Sequence, residues 1–396
     1  SPILTEVKKS DKVTVLEDED DWMKVATADG YVGYIKTKFL KNQKKEKTSR
    51  DFTEPVYSDM TEDHSINMAW HNVTNAAANN AVQQVLASTS GLTTIAPTWF
   101  SLADTEGNIS SIADADYVNY AHTAGLEVWA VFRDFHGGTN SYDETYETLR
   151  YTSKRAKLED QVVAAAVAAG VDGINLDFEL ISSKCGVHYV QLVRELSVKC
   201  HQNNLVFSVD NYVPQSYNSH YDLKEQGIVA DYVVIMAYDE HTEGSYEAGS
   251  VASISYLQDG IEKTLKKVSA DKVIAGIPFF TRLWFETAKS PEQLSEEDGT
   301  EAASYPNKVS SKELGMEEAA QSVVNAGATA QWDEKTQQNY AKWSADGGTY
   351  RIWLEDAQSL EAKLKVIQEN KLAGVAEWSL GKEESSVWKL ISQYVN

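Results

Sequence analysis

The run Asp172-Gly173-Ile174-Asn175-Leu176-Asp177-Phe178-Glu179 threads acidic residues through an apolar stretch. Successive side chains of a strand point to opposite faces, so Asn175, Asp177 and Glu179 share one face while Ile174, Leu176 and Phe178 pack on the other. Carboxylates are seldom buried without a partner. An Asp and a Glu on one face of an apolar strand's carboxyl end therefore suggest a functional pair. Crowding two acids where water is scarce raises one pKa, and that group stays protonated as a general acid. Two acids at a strand end, taken alone, more often form a salt-bridged rim.

The elements that would position this pair are legible as eight β-rich apolar runs, at residues 66–70, 92–97, 126–132, 171–178, 205–209, 232–236, 272–277 and 372–378. Helical patterns stand between them, among them 160–169, 188–199, 261–268 and 360–369. Eight such alternations over 55–396 predict an α/β fold, a (β/α)8 TIM barrel, with the acids at the carboxyl-terminal rim where barrel active sites lie. A doubly wound open sheet is the alternative, weakened because no G-x-G-x-x-G follows the first strand. The stretch from about 282 to 350 is too long for a loop and predicts an insertion, a subdomain or substrate wall, between strands 7 and 8.

The first part of the chain reads differently. Short strand-like runs at 13–16, 22–26 and 31–35, the last two flanking the hairpin dipeptide Asp29-Gly30, predict a small all-β barrel over 1–42. Residues 41–50 are lysine-rich with no apolar side chain, which predicts a solvated linker over 43–54. The chain carries 36 Lys and Arg against 59 Asp and Glu, a formal charge of −23. That balance argues against nucleic acid, whose phosphates demand a basic footprint. Residues 1–50 hold eleven basic and nine acidic residues, so the acid excess lies wholly beyond them. No apolar run reaches the roughly 18 residues of a membrane span. A start at Ser1-Pro2 with no basic and apolar leader fits a processed chain as well as a cytosolic one, so the N-terminus does not indicate a compartment. Cys185 and Cys200 fall in one helical pattern, about 22 Å apart, beyond disulfide reach. The eight His show no H-E-x-x-H spacing, and neither a metal nor another cofactor is expected.

Four motifs in order then carry a resemblance. Residues 172–179 resemble the D-G-x-D-x-D-x-E signature of glycoside hydrolase family 18, the chitinases and endo-N-acetylglucosaminidases. Met236-Ala237-Tyr238-Asp239 is similar to its M-x-Y-D, 276–282 (GIPFFTR) to its seventh-strand segment, and 374–381 (GVAEWSLG) to its W-x-L-G. Asn175, 66–70 (INMAW) and 349–355 (TYRIWLE) resemble most the bacterial branch of spore cortex-lytic enzymes. Residues 1–42, with Trp22, Asp29-Gly30, Gly33-Tyr34-Ile35 and Phe39-Leu40, resemble the bacterial Src-homology-3-type domain found on wall-binding enzymes.

The resemblance implies roles residue by residue. Glu179 is the general acid. Asp177 orients the substrate's 2-acetamido group and balances the charge of the oxazolinium it becomes, since this family uses that group rather than a protein nucleophile. Tyr238 hydrogen-bonds the acetamido group, Asp239 holds the sugar and Trp378 forms the floor of its subsite. Asn175, Asp172, Met236 and Arg282 complete the substrate-binding set, to which the aromatic residues Trp99 and Tyr212 are added as stacking platforms, with Trp70, Phe135 and Trp284 as further candidates. The loop 133–146 is expected to form a mobile cleft wall. Asn175 departs from the family, which has Asp there. The implied function is hydrolysis of N-acetylglucosamine-containing polysaccharide, foremost peptidoglycan, by a secreted, wall-associated or spore-associated enzyme held on the bacterial wall through residues 1–42. A chitinase, a glycoprotein-directed endoglycosidase and a non-catalytic sugar-binding barrel are the alternatives.

Overall fold

The computed structural model describes residues 3–45, 47 and 58–395, and the chain divides into two compact units, Ser1–Val56 and Tyr57–Asn396. In the first, β1 (Val13–Glu19), β2 (Trp22–Thr27) and β3 (Val32–Lys36) pair in order as an antiparallel meander. The β2–β3 turn closes at Gly30, whose φ of 84° is left-handed and free of steric cost only for glycine. Among the described residues the small β unit is thus a three-stranded sheet over buried Met23 and Val25. Most of the expected linker, all but residues 43–45 and 47, lies outside the described residues.

The second unit begins with β4 (Ile66–His71), β5 (Thr94–Pro97), a rim hairpin β6 (Phe100–Leu102) and β7 (Ile109–Ser111), then β8 (Glu127–Arg133), β9 (Gly173–Asp177), β10 (Val206–Tyr212), β11 (Tyr232–Met236) and β12 (Val273–Pro278). The insertion follows with β13 (Phe280–Ala288), β14 (Asn307–Gly315), β15 (Gln331–Asp333), β16 (Gln338–Ala345) and β17 (Gly348–Leu354), before β18 (Gly374–Trp378). The strands β4, β5, β8, β9, β10, β11, β12 and β18 run parallel, and the β18–β4 and β5–β8 pairings close them into an eight-stranded barrel. Alternation sorts their side chains into two cores. Met68, Trp70, Trp129, Val131, Val234 and Ala376 fill the lumen, while Ala69, Ala130, Ile174, Leu176, Ile235 and Val375 face the helices outside. Fully burying each large apolar side chain contributes roughly 1.5–3 kcal/mol. Both cysteines are buried and unpaired, and burial pushes the Cys185 thiol up to about 12. Among the described residues no helix is long and apolar enough to cross a membrane.

The insertion is a five-stranded antiparallel sheet, order β14-β13-β17-β16-β15, with its own core of Leu314, Ala319, Val323, Ala341, Ile352 and Leu354. It is fastened to the barrel just past β17. The Glu355 carboxylate accepts from Lys363 Nζ at 2.9 Å through both oxygens, from Gln338 Nε2 at 2.6 Å and from Ser359 Oγ at 2.8 Å. Gln338 belongs to the insertion, whereas Lys363 and Ser359 lie on the barrel helix Ala357–Glu369. Only 1% of either the Glu355 or the Lys363 side chain is exposed, and burial already pushes the Glu355 carboxyl above its usual range. Lys363→Met leaves that acid without its countercharge, a loss worth about 3–5 kcal/mol. Urea unfolding should show a drop of that order, and the double variant Lys363→Met/Glu355→Leu should recover much of it.

Candidate active site

Strand β9 carries Asn175 and Asp177 into the lumen and ends just before Glu179. The intervening Phe178 anchors it from outside, packed edge-on against Phe132 with centroids 5.0 Å apart. Asn175 is fully buried and fully engaged. Its Oδ1 accepts from Trp70 Nε1 at 3.0 Å, and its Nδ2 donates to Asp210 Oδ1 at 2.7 Å and Ser208 Oγ at 2.9 Å. Burial pushes the Asp210 carboxyl up to about 8, with the Asn175 hydrogen bond opposing. Asp177 is 7% exposed, and its buried Oδ1 has no protein hydrogen-bond partner among the described residues. Burial, and after it the neighbouring Glu179, drive this carboxyl well above the usual range. Glu179 is half-buried at the rim, where its Oε2 accepts a hydrogen bond from the Tyr212 hydroxyl. Burial raises its pKa too; the Tyr212 hydrogen bond, which favours the anion, opposes this, and Asp239 adds to it. A carboxyl biased toward its protonated form therefore stands at the rim, two residues beyond a buried carboxyl with a free oxygen. The first is suited to donate a proton, the second to receive an N–H or offset a positive charge.

The segment bearing Glu179 is clamped by a residue that sequence reasoning missed. Asp134, directly after β8 and fully buried, accepts from Glu179 N–H at 2.9 Å, from Leu180 N–H at 3.0 Å and from Thr145 Oγ1 at 3.1 Å. Burial pushes its carboxyl up to about 7. Tyr221 adds its hydroxyl to the carbonyls of Phe178 and Glu179, at 3.2 and 3.1 Å. The available signal for Asp134 was an acid at the end of the third apolar run.

Most of the expected residues gather at this end of the barrel. Tyr238, two residues past β11, is buried edge-on to Trp70 and to Phe280, with centroids 6.4 and 6.1 Å away. Met236 lies in the same lumen core. Trp378 ends β18, half-buried, 5.9 Å from the Trp70 ring and joined to Ser379 by a cis peptide bond. Asp239, with a left-handed φ of 60°, is faced by Arg282, and Arg282 is steadied by a 3.0 Å hydrogen bond to Ser311 on β14. Tyr212 reaches the site through Glu179 itself.

Three expectations are corrected. Asp172 sits at the opposite, amino end of β9, where it accepts from Val128 N–H at 2.7 Å and pairs with His122 at 2.8 Å. Trp99 is 2% exposed in the outer core, its Nε1 donating to Asn79 at 2.8 Å and its ring edge-on to Tyr117, so no face is open to a sugar. Trp284 is equally closed, fully buried with Nε1 on the Gly249 carbonyl. The loop after β8 approaches the end of β6 closely. Gly138 N–H donates to the Leu102 carbonyl, and a Cβ at Gly138 would stand 1.7 Å from the Ala103 carbonyl oxygen.

Residues 135–383 match the glycosyl hydrolases family 18, and residues 1–41 match the bacterial SH3 domain. A glycosylase of Bacillus subtilis, YvbX, is 26% identical over 295 residues, covering 72% of this chain and 80% of its own. The cortical fragment-lytic enzyme of the same species is 27% identical over 256 residues, 62% of this chain and 54% of that one. Among solved structures, the Chromobacterium violaceum chitinase superposes with a TM-score of 0.69 at 21% identity, covering 83% of this chain and 98% of that one. The Bacillus megaterium spore cortex-lytic enzyme SleL superposes with a TM-score of 0.68 at 20% identity, over 87% of this chain and 76% of that one.

Asp134→Ala releases both backbone N–H groups that aim Glu179. A displacement of about 1 Å at a reacting group costs on the order of 10²-fold in rate. Steady-state kinetics should therefore show kcat falling by about that factor with KM little changed, and Asp134→Asn, which keeps one acceptor oxygen, should recover part of the loss.

Proposed function

Because the chain belongs to glycosyl hydrolases family 18, we propose that it is a retaining endo-β-N-acetylglucosaminidase that cleaves N-acetylglucosamine-containing polysaccharide, foremost bacterial peptidoglycan. The observation that carries this reading is the pairing on one segment of Glu179, raised in pKa and open to the cleft, with Asp177, whose buried Oδ1 has no protein partner. Glu179 gives its proton to the glycosidic oxygen as that bond breaks. The acetamido oxygen of the sugar on the non-reducing side attacks the anomeric carbon and forms an oxazolinium. Asp177 accepts the acetamido N–H and offsets the new positive charge, while the Tyr238 hydroxyl donates to the acetamido oxygen. Trp378 supplies the apolar floor beneath the ring. Water then attacks the anomeric carbon from the face that the leaving group left, giving its proton to the Glu179 carboxylate, so two inversions leave the configuration retained.

The preference for peptidoglycan rests on two features. Residues 1–41 match a bacterial SH3 domain, which would raise the local concentration of a wall polymer at the cleft. One relative is named for its action on cortical fragments. Both also support a secreted, wall-associated or spore-associated location.

The test compares release of new reducing ends from purified sacculi, spore cortex fragments, chitin and an N-glycoprotein; wall or cortex should be cleaved fastest, and cleavage of chitin or glycoprotein alone would overturn the substrate. Glu179→Gln preserves shape without the proton, so turnover should fall by roughly 10²–10⁴ at unchanged melting temperature while binding survives. A wall fragment bearing a free 2-amine on the non-reducing side of the scissile bond lacks the nucleophile. It should resist hydrolysis by mass spectrometry, and its efficient cleavage would overturn the substrate-assisted route.

A further inference from the structure

Strands β8 and β9 lie side by side with Arg133 opposite Asp177 in register. Val131 and Trp129, two and four residues earlier on β8, belong to the lumen core, so alternation brings Arg133 to the same face as Asp177. Neighbouring strands are about 4.8 Å apart, which places the two residues side by side at the rim. Each also carries a buried atom, Arg133 Nε and Asp177 Oδ1, with no hydrogen-bond partner among the described residues. The Arg133 guanidinium is braced over the Phe135 ring, 5.5 Å from its centroid.

The polar neighbour of Asp177 along β9 does not help it. Both N–H bonds of the Asn175 amide are spent on Ser208 and Asp210, so none remains for Asp177. The other titratable groups facing Asp177 are Glu179 on its own segment, Asp134 after β8, Asp210 and Tyr212 on β10, Tyr238 after β11 and Tyr189 on the helix Gly186–Gln202. Three of these are acids and three are neutral hydroxyls. Arg133 is the cation in that set among the described residues.

Resting on the reading that Asp177 receives the acetamido N–H, we propose that Arg133 is a positioning residue for the reaction: its guanidinium favours the ionised form of Asp177 against the opposing pull of burial and of the neighbouring acids. A buried acid left to itself would take up a proton and lose the charge that balances an oxazolinium. An adjacent cation opposes that, and a guanidinium is suited to the place because it is permanently charged and sheds water more readily than an ammonium. The sign follows directly. Removing the positive charge raises the Asp177 pKa, so a higher pH is needed to ionise it.

Arg133→Met should move the acid limb of the kcat/KM profile to higher pH, the direction set by removing an opposite charge, while the alkaline limb stays in place. Arg133→Lys should hold the acid limb near its wild-type position. A merely structural Arg133 would lower activity equally at every pH, and that result, or an acid limb shifted as far by Lys as by Met, overturns the proposal. A second readout needs no turnover: carboxyl-carbon NMR titration of aspartate-labelled protein, with the Asp177 signal assigned through Asp177→Asn. Its midpoint should be higher in Arg133→Met than in wild type, and equal midpoints overturn the proposal. If Arg133→Met does not fold by circular dichroism, Arg133→Gln takes its place in the same titration. Should the protein hydrolyse none of the N-acetylated glycans, the proposed function falls, while the titration still decides whether Arg133 and Asp177 are coupled.

Discussion

A carboxyl group in the lumen of a closed barrel is cut off from water by strands on every side, and the active end of this protein is organised around that cost. Eight parallel strands close through the β5–β8 pairing, and the lumen below the rim is filled by Met68, Trp70, Trp129, Val131 and their neighbours. Above that apolar plug stand Asp177, Glu179, Asp210 and Asp134, all with pKa values raised chiefly by burial. Desolvation disfavours the charged form of each. What differs is the compensation. Asp134 receives two backbone N–H groups and a hydroxyl, Asp210 receives an amide on one oxygen and nothing on the other, Glu179 receives a phenol, and one oxygen of Asp177 receives nothing from the protein. A graded set of environments thus turns similar side chains into a clamp, a brace, a proton donor and an unfilled acceptor.

The walls of the cleft are held with equal economy. The segment after β9 cannot drift, because Asp134 grips its amides and Tyr221 its carbonyls. The insertion brings Arg282 toward Asp239 and is itself fastened by the buried Glu355–Lys363 pair. Breaking one partner of such a pair is far more damaging than replacing both, since a lone charge is left without water. The insertion thus belongs to the barrel's own unit.

Much of this was legible in the chain. Eight apolar runs marked the barrel strands within a few residues, because strand alternation and apolar content are local properties. The overlong connection marked the insertion, and Asp29-Gly30 marked the β2–β3 turn. On β9 the two-residue period assigned Asn175 and Asp177 to one face and Ile174, Leu176 and Phe178 to the other, as found. The failures share a cause. Asp172 and Trp99 have the right chemistry near the right strands, but one lies at the wrong end of β9 and the other turns outward under the helices.

By itself, then, the sequence determined the order of the elements, the face each strand residue takes on β9 and the placing of Asp177 and Glu179 together at the rim, since each of these follows from spacing within one segment. Only the tertiary structure decided what each side chain meets there. Asn175 spends its amide on residues 33 and 35 positions ahead and is held by one 105 positions behind. Asp134 reaches its amides across 45 and 46 positions, and Arg133 comes beside Asp177 only because β8 and β9 pair in one register. Burial and countercharge are sums over groups from separate strands, and no window along the chain contains them.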